Sequence, residues 1–277
     1  MNDRAAPAGP LRLAFDEHGP SAAAPVVVLH GFAGSAEAVT QLSAPLAATG
    51  FRVLVPDLVG HGRTPAPRDA AAYSMDACLD QLEALCRSLD LGTVAVVGYS
   101  MGGRVALQWA ARYRDRVGRL LTIGATPGLA GAEEREDRRR ADGELADRIE
   151  AEGLEWFDEY WASRPIFASQ RGRVAPEEHS RMSAIRRGQR PWGLANSLRG
   201  MGTGTMPYLA ADDLGAIRSP ALVVAGADDQ KFVAIGGDLA DRLGRGRFVS
   251  VPDAGHAAHL ESPHTVGALV SDFVAGR

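Results

Sequence analysis

The stretch VAVVGYSMGGR, Val94 to Arg104, limits what this chain can fold into more than any other. A buried β-branched run gives way to an amphipathic helix with almost no residues left for a loop. Gly98 and Gly102 flank the connection, where the turn is too tight for side chains. Ser100 is thereby lifted clear of the backbone at a helix N-terminus, where backbone dipoles favour developing negative charge. A G-x-S-x-G in this strand–turn–helix setting reads as a nucleophile elbow.

The same strand-then-helix rhythm runs along most of the chain, as expected for a mostly parallel sheet with helices on both faces. Further strands are predicted at Pro25–Leu29, Phe51–Pro56, Leu120–Ile123, Ala221–Ala225 and Arg247–Val251. Helices are predicted at Met75–Leu91, Met101–Tyr113, Ala234–Leu243 and Pro263–Val274. From Gly128 to about Ala210 the strand rhythm stops and charged helical sequence holds three of the four tryptophans. Residues 128–210 are therefore expected to form a helical cap inserted into a core made of 1–127 and 211–277. Charge is segregated within the cap. Residues 128–160 carry 12 acidic and 5 basic side chains, and 161–210 carry 2 and 8. Solvated helix faces explain most of that bias, and an anionic ligand would suit the basic half.

A serine hydroxyl needs a histidine to take its proton, and the histidine needs an orienting carboxylate. Behind an elbow the chain order is serine, acid, histidine. His256 lies in VPDAGHAAHLESP directly after the last strand, whereas His259 and His264 are expected to face solvent. In the loop GADDQKF, Asp228 and Asp229 compete for the acid, and the third place after the strand-ending glycine favours Asp229. Asp253 is read as shaping the turn before His256. An oxyanion site needs two converging N–H groups. Met101 follows the serine, and Phe32 lies in the loop HGFAGS, whose glycines allow close backbone approach.

Other chemistries find little support. His30 and His61 stand in separate glycine turns without metal-ligand spacing, and no G-x-G-x-x-G opens a helix after the first strand, so neither metal nor cofactor is expected. A net charge of -4 gives no reason to expect nucleic acid or an anionic membrane. The first ten residues contain no apolar run resembling a leader or anchor, and no stretch approaches the roughly 20 apolar residues of a bilayer span. Cys78 and Cys86 are eight apart in one helical segment, too distant to bridge, and read as reduced thiols. A cytoplasmic protein is expected, a monomer or weak homo-oligomer, acting on an anionic small molecule.

With HGFAGS, PDLVGHGRT, GYSMGG, GADD and AGH in this order, the chain resembles the α/β-hydrolase superfamily from about residue 11 onward. The resemblance implies an α/β-hydrolase fold with a mostly parallel eight-stranded sheet. Three cap segments, TPGLAGAEEREDRRRADGELADRI, EYWASRPIFASQ and LANSLRGMGTGTMPYL, together with DDQKF in the core, look like the 2-succinyl-6-hydroxy-2,4-cyclohexadiene-1-carboxylate synthase family. These are cofactor-free lyases of menaquinone biosynthesis. The resemblance implies that Ser100, His256 and Asp229 act together as a base for proton abstraction, followed by loss of pyruvate. It implies that Tyr99, Arg104, Arg138, Trp161 and Arg187 contact a substrate with three carboxylates, with Arg139 and Arg186 as alternative matches for the two cap arginines. Trp161 would otherwise serve as cap core. Lys231, the only lysine in the chain, also fits the family motif. The core motifs equally suit a serine hydrolase of esters, lactones or vinylogous diketones, so only the cap separates the two activities.

Overall fold

A computed structural model describes residues 11–277. The first ten residues, expected to carry neither leader nor anchor, lie outside the described residues. The strands are β1 (Phe15–His18), β2 (Pro25–Leu29), β3 (Arg52–Pro56), β4 (Val94–Tyr99), β5 (Val117–Ile123), β6 (Ala221–Gly226) and β7 (Gly246–Val251). They form one sheet in the order β1-β3-β2-β4-β5-β6-β7, parallel throughout except for β1 at the edge. The sheet thus has seven strands among the described residues, one fewer than expected. Between Leu11 and Pro25 the chain forms β1, which ends at Gly19, with φ +81°, and Pro20.

Strand periodicity explains why both faces need cover. On β2, Val27 and Leu29 enter one apolar cluster and Val26 and Val28 the other; on β6, Val223 and Leu222 divide the same way. The first face is covered by α2 (Met75–Ser88), α3 (Met101–Arg112) and α8 (Gln230–Arg242), through Leu79, Leu82, Val105, Trp109 and Leu239. The second is covered by α1 (Thr40–Ala48) and α10 (Pro263–Ala275), through Leu42, Leu46, Val266 and Val270. Helix α8 starts four residues earlier than its apolar pattern suggests. The Asp229 carboxylate accepts the Phe232 N–H at 3.4 Å and caps the new first turn. Cys78 and Cys86 are free and buried on α2.

Between β5 and β6 the chain forms α4 (Ala132–Ala162), a 3-10 turn at Pro165–Gln170, α5 (Pro176–Arg187), α6 (Pro191–Met201) and the short α7 (Ala211–Gly215). Helix α4 is broken at Gly153, whose φ of 83° a helix cannot hold. Prolines at the first positions of α5 and α6 set their starts. Ala146, Ile149, Phe157, Leu194 and Leu198 from this insertion bury themselves around Ala33, with Phe32 and Trp161 alongside. The insertion is therefore packed onto the loop that follows β2. Most of its segregated charge is spent in ion pairs, such as Arg199 of α6 with Asp147 and Glu150 of α4 at 2.6 and 2.7 Å. The short remainder, α9 (Ala258–Glu261), sits between β7 and α10.

The elbow is anchored by close backbone contact. A Cβ on Gly98 would lie 2.3 Å from the Gly102 carbonyl, and one on Gly102 would lie 2.3 Å from that of Leu29 on β2. Replacing Gly102 with Ala is expected to force α3 away from β2 and to cost about 1–3 kcal/mol. Urea denaturation would check this, and an unchanged midpoint would show that the contact yields freely.

Candidate active site

Ser100 occupies a backbone conformation that L-residues rarely adopt, φ 51° and ψ −108°. Its N–H donates to the Ile123 carbonyl at 2.8 Å, and its carbonyl accepts the Arg104 N–H at 3.0 Å. The turn is thus tied to β5 on one side and to α3 on the other. Strain of this kind persists only where the surroundings hold it, and it turns the hydroxyl outward from the sheet.

The loops after β6 and β7 bring the partners. Nδ1 of His256 lies 2.8 Å from Oδ2 of Asp229, and Nε2 lies 3.0 Å from the Ser100 hydroxyl oxygen. An ionised carboxylate only accepts, so Nδ1–H donates to Asp229 and Nε2 is left to accept the serine proton. The Asp228 carboxylate instead meets Arg173 at 2.6 Å and is half exposed. The His256 ring is wedged between neighbours. Phe232 lies 4.7 Å away and Tyr99 5.6 Å away between ring centroids, and a Cβ on Gly124 would lie 2.9 Å from its Cε1. Asp253 holds a positive φ of 52° in the turn after β7.

Behind the loop after β2 lies a buried polar frame. The His30 Nδ1–H donates to the Gly31 carbonyl at 2.8 Å, and its Nε2 accepts the Leu58 N–H at 3.0 Å. His30 and His61, from separate glycine turns, have ring centroids 5.1 Å apart, and His61 also meets the Phe32 ring edge-on at 5.9 Å. Burial opposes charge on the Asp57 carboxyl, yet N–H groups of Ala36 at 2.6 Å and Arg63 at 3.0 Å hold it below its usual range. This frame fixes the backbone around Phe32. Among the described residues, neither the Phe32 nor the Met101 N–H donates to a protein acceptor, and both residues line the cavity above Ser100.

That cavity, of roughly 170 Å³, also brings together Arg104, Arg138, Trp161 and His256. Arg104 donates to the Met201 carbonyl at 2.8 Å and, among the described residues, has no carboxylate ion pair. Burial, with Arg138 nearby, pulls its guanidinium down to about 10, so it stays charged at neutral pH. Arg138 pairs with Asp142 one turn further along α4 at 2.8 Å. Burial raises the Asp142 carboxyl, partly offset by Arg138 and Arg104. A second chamber of roughly 110 Å³ adjoins the first across Phe32, Trp161 and Phe167, and is lined by Tyr99 and Arg186.

Arg187 does not join the others. Its side chain is half exposed, 3.8 Å from Glu155. On α5, Ile185 is buried and Arg186 turns inward to Asp158 at 2.6 Å, so the next residue is carried round to solvent. The arginine brought to the site is therefore Arg186. His259 is also not solvent-facing; it is 1% exposed, under the Tyr99 ring at 4.3 Å. Phe167, Phe232 and Lys231 also line the cavity; none was expected among the substrate contacts, although Lys231 fits the family motif. Their signal was present, since PIFASQ and DDQKF are the segments that stood out. No group of three or more histidine, cysteine or acidic side chains among the described residues is placed to hold a metal.

The fold and the elbow define the class. Residues 24–263 match the family described as the alpha/beta hydrolase fold, and the chain belongs to it. Within that class it belongs with the 2-succinyl-6-hydroxy-2,4-cyclohexadiene-1-carboxylate synthases. It is 31% identical to the protein of that name from Escherichia coli O7:K1, with 93% of this chain and 96% of that one covered. A Bacillus subtilis (strain 168) protein given the same name provisionally is 40% identical, with 95% of each chain covered. A solved structure of MenH from S. aureus superposes with a TM-score of 0.88 at 27% identity, covering 96% of this chain and 98% of that one.

Two buried histidines near the site give the fold an acid limit. Burial lowers both His61 and His259 to about 3 from 6.5, so both are neutral in the folded state at pH 7. Between these values the unfolded chain binds more protons, so their contribution is complete above pH 6.5 and lost as pH falls towards 3. Each group should withdraw roughly 1.4 kcal/mol per pH unit within that window. Urea midpoints are expected to fall between pH 7 and 5, and less steeply in His259→Gln. A flat wild-type profile would contradict it.

Proposed function

We infer that the protein eliminates pyruvate from 2-succinyl-5-enolpyruvyl-6-hydroxy-3-cyclohexene-1-carboxylate, giving 2-succinyl-6-hydroxy-2,4-cyclohexadiene-1-carboxylate. Family membership across core and insertion supports this reading. The observation that carries it is the assembled Ser100–His256–Asp229 chain facing a half-buried arginine, Arg104, with no carboxylate ion-pair partner among the described residues. A neutral ester gives no reason to hold such a cation in a cavity, whereas a substrate with three carboxylates does.

In the proposed mechanism His256 draws the Ser100 proton, and the Ser100 oxygen takes a ring proton from the substrate. The C–H electrons form the new ring double bond, the bond to the enolpyruvyl oxygen breaks, and pyruvate leaves as its enolate, which takes the proton held on His256 to become pyruvate. A positioned base contributes roughly 10²–10⁴-fold. The N–H groups of Phe32 and Met101 hold the charge that develops on the conjugated carbonyl. Asp229 keeps the His256 tautomer and steadies its charged form. Arg104 and Arg138 bind carboxylates beside Ser100, Arg186 takes one in the second chamber, and Trp161 and Tyr99 pack against the body of the substrate. Residues 128–210 act as the cap over a core of 1–127 and 211–277. Among the described residues no helix is long and apolar enough to cross a membrane, and we place the enzyme in the cytoplasm, as a monomer or weak homo-oligomer.

Mixing the protein with the enolpyruvyl substrate is expected to release pyruvate and generate diene absorbance. Ser100→Ala is expected to lower kcat at least 10²-fold. Arg104→Ala is expected mainly to raise KM. Rapid turnover of p-nitrophenyl esters with no pyruvate would replace this reading with the hydrolase one.

A further inference from the structure

Arg173 lies in the insertion, between the 3-10 turn Pro165–Gln170 and α5, and lines neither chamber above Ser100. Its guanidinium nevertheless reaches both loops that deliver His256 and Asp229. Nη1 is 2.6 Å from Oδ2 of Asp228 and 3.6 Å from Oε2 of Glu261. Asp228 directly precedes Asp229. The Glu261 side chain is fully buried, and the same Oε2 accepts the N–H of Gly255 at 2.9 Å, the residue directly before His256. The two loops meet again where the Asp228 N–H donates to the Ala254 carbonyl at 2.9 Å.

The segment that carries Arg173 is seated on these loops. Val174, the next residue, is buried against Ala257 and Leu260. A Cβ on Gly255 would lie 2.0 Å from the Ser169 hydroxyl, so only glycine lets the strap come this close. Arg173 and Val174 both donate their N–H groups to the Gln170 carbonyl, which closes the turn and fixes where the guanidinium emerges.

We propose that Arg173 is a positioning residue, which locks the Asp229 and His256 loops in register by bridging Asp228 and the buried Glu261. Without it, Glu261 keeps, among the described residues, only one backbone donor for a desolvated carboxylate, and its grip on Gly255 weakens. The Asp229–His256–Ser100 spacing would then loosen, although no contact with substrate is lost. This inference rests on the triad serving as the base in the reading above.

The test pairs two readouts on the full chain. One is pyruvate release from the enolpyruvyl substrate. The other is phosphorylation of Ser100 by diisopropyl fluorophosphate, in which the Ser100 oxygen bonds to phosphorus, fluoride leaves and the proton passes to His256. The probe is neutral and needs no lyase activity, so it reads triad assembly even if the lyase reading fails. In Arg173→Met, kcat and the phosphorylation rate are expected to fall together by about tenfold, since small misplacements of reacting groups cost one to two orders of magnitude. KM should change by less than about twofold, because no ground-state contact is removed. Arg173→Lys should recover part of both rates. Asp228→Asn, at a half-exposed position that the fold tolerates, should behave like Arg173→Met, and the double variant should be no worse than the poorer single one. Three results would overturn the proposal: a raised KM with unchanged phosphorylation, wild-type rates on both readouts, or additive losses in the double variant.

Discussion

Everything at the site depends on one strained residue. Ser100 holds φ 51° and ψ −108° because β4 and α3 leave it no alternative. Its N–H is committed to Ile123 of β5, and the glycines on either side touch the backbones of Gly102 and Leu29. The cost of that conformation, of order 1–3 kcal/mol, is met by the buried sheet around it. In return, the serine hydroxyl stands at the end of α3 where the loops from β2, β6 and β7 converge. The parallel sheet places all of these loops at the same end of their strands.

The triad carries little specificity of its own. An Asp229-oriented histidine 3.0 Å from a serine oxygen is competent to activate either a nucleophile or a base. In the proposed reading, the surrounding charge directs the chemistry. Arg104 emerges one helical turn after Ser100 and donates to the Met201 carbonyl rather than to a carboxylate, while Asp142, outside ion-pair distance, offsets part of its charge. Arg138, by contrast, is already held by Asp142. In the first chamber the insertion thus contributes Arg138, restrained by its neighbour, while the core contributes Arg104 and Lys231.

Much of this was legible in the sequence because strand periodicity and glycine spacing are local properties. The two-sided burial of β2 and β6, the elbow, and the pairing of His256 with Asp229 rather than Asp228 all follow from short motifs with fixed geometry. The misses have a common physical origin. Arg187 and Arg186 are adjacent on α5, and only packing against α4 decides which of them turns inward. His259 gives no local sign of burial, since it becomes buried only when Tyr99 covers α9. The charge segregation of the insertion was visible, but its partners across α4 and α6 were not.

The central claim is that Ser100 moves a proton and does not attack a carbonyl. Intact-protein mass spectrometry of the enzyme, quenched during steady-state turnover of the enolpyruvyl substrate, tests it most directly. The expected result is the unmodified mass of the chain at every time point while pyruvate accumulates. A substrate-derived mass increment on Ser100 that forms and decays at the rate of turnover would contradict it.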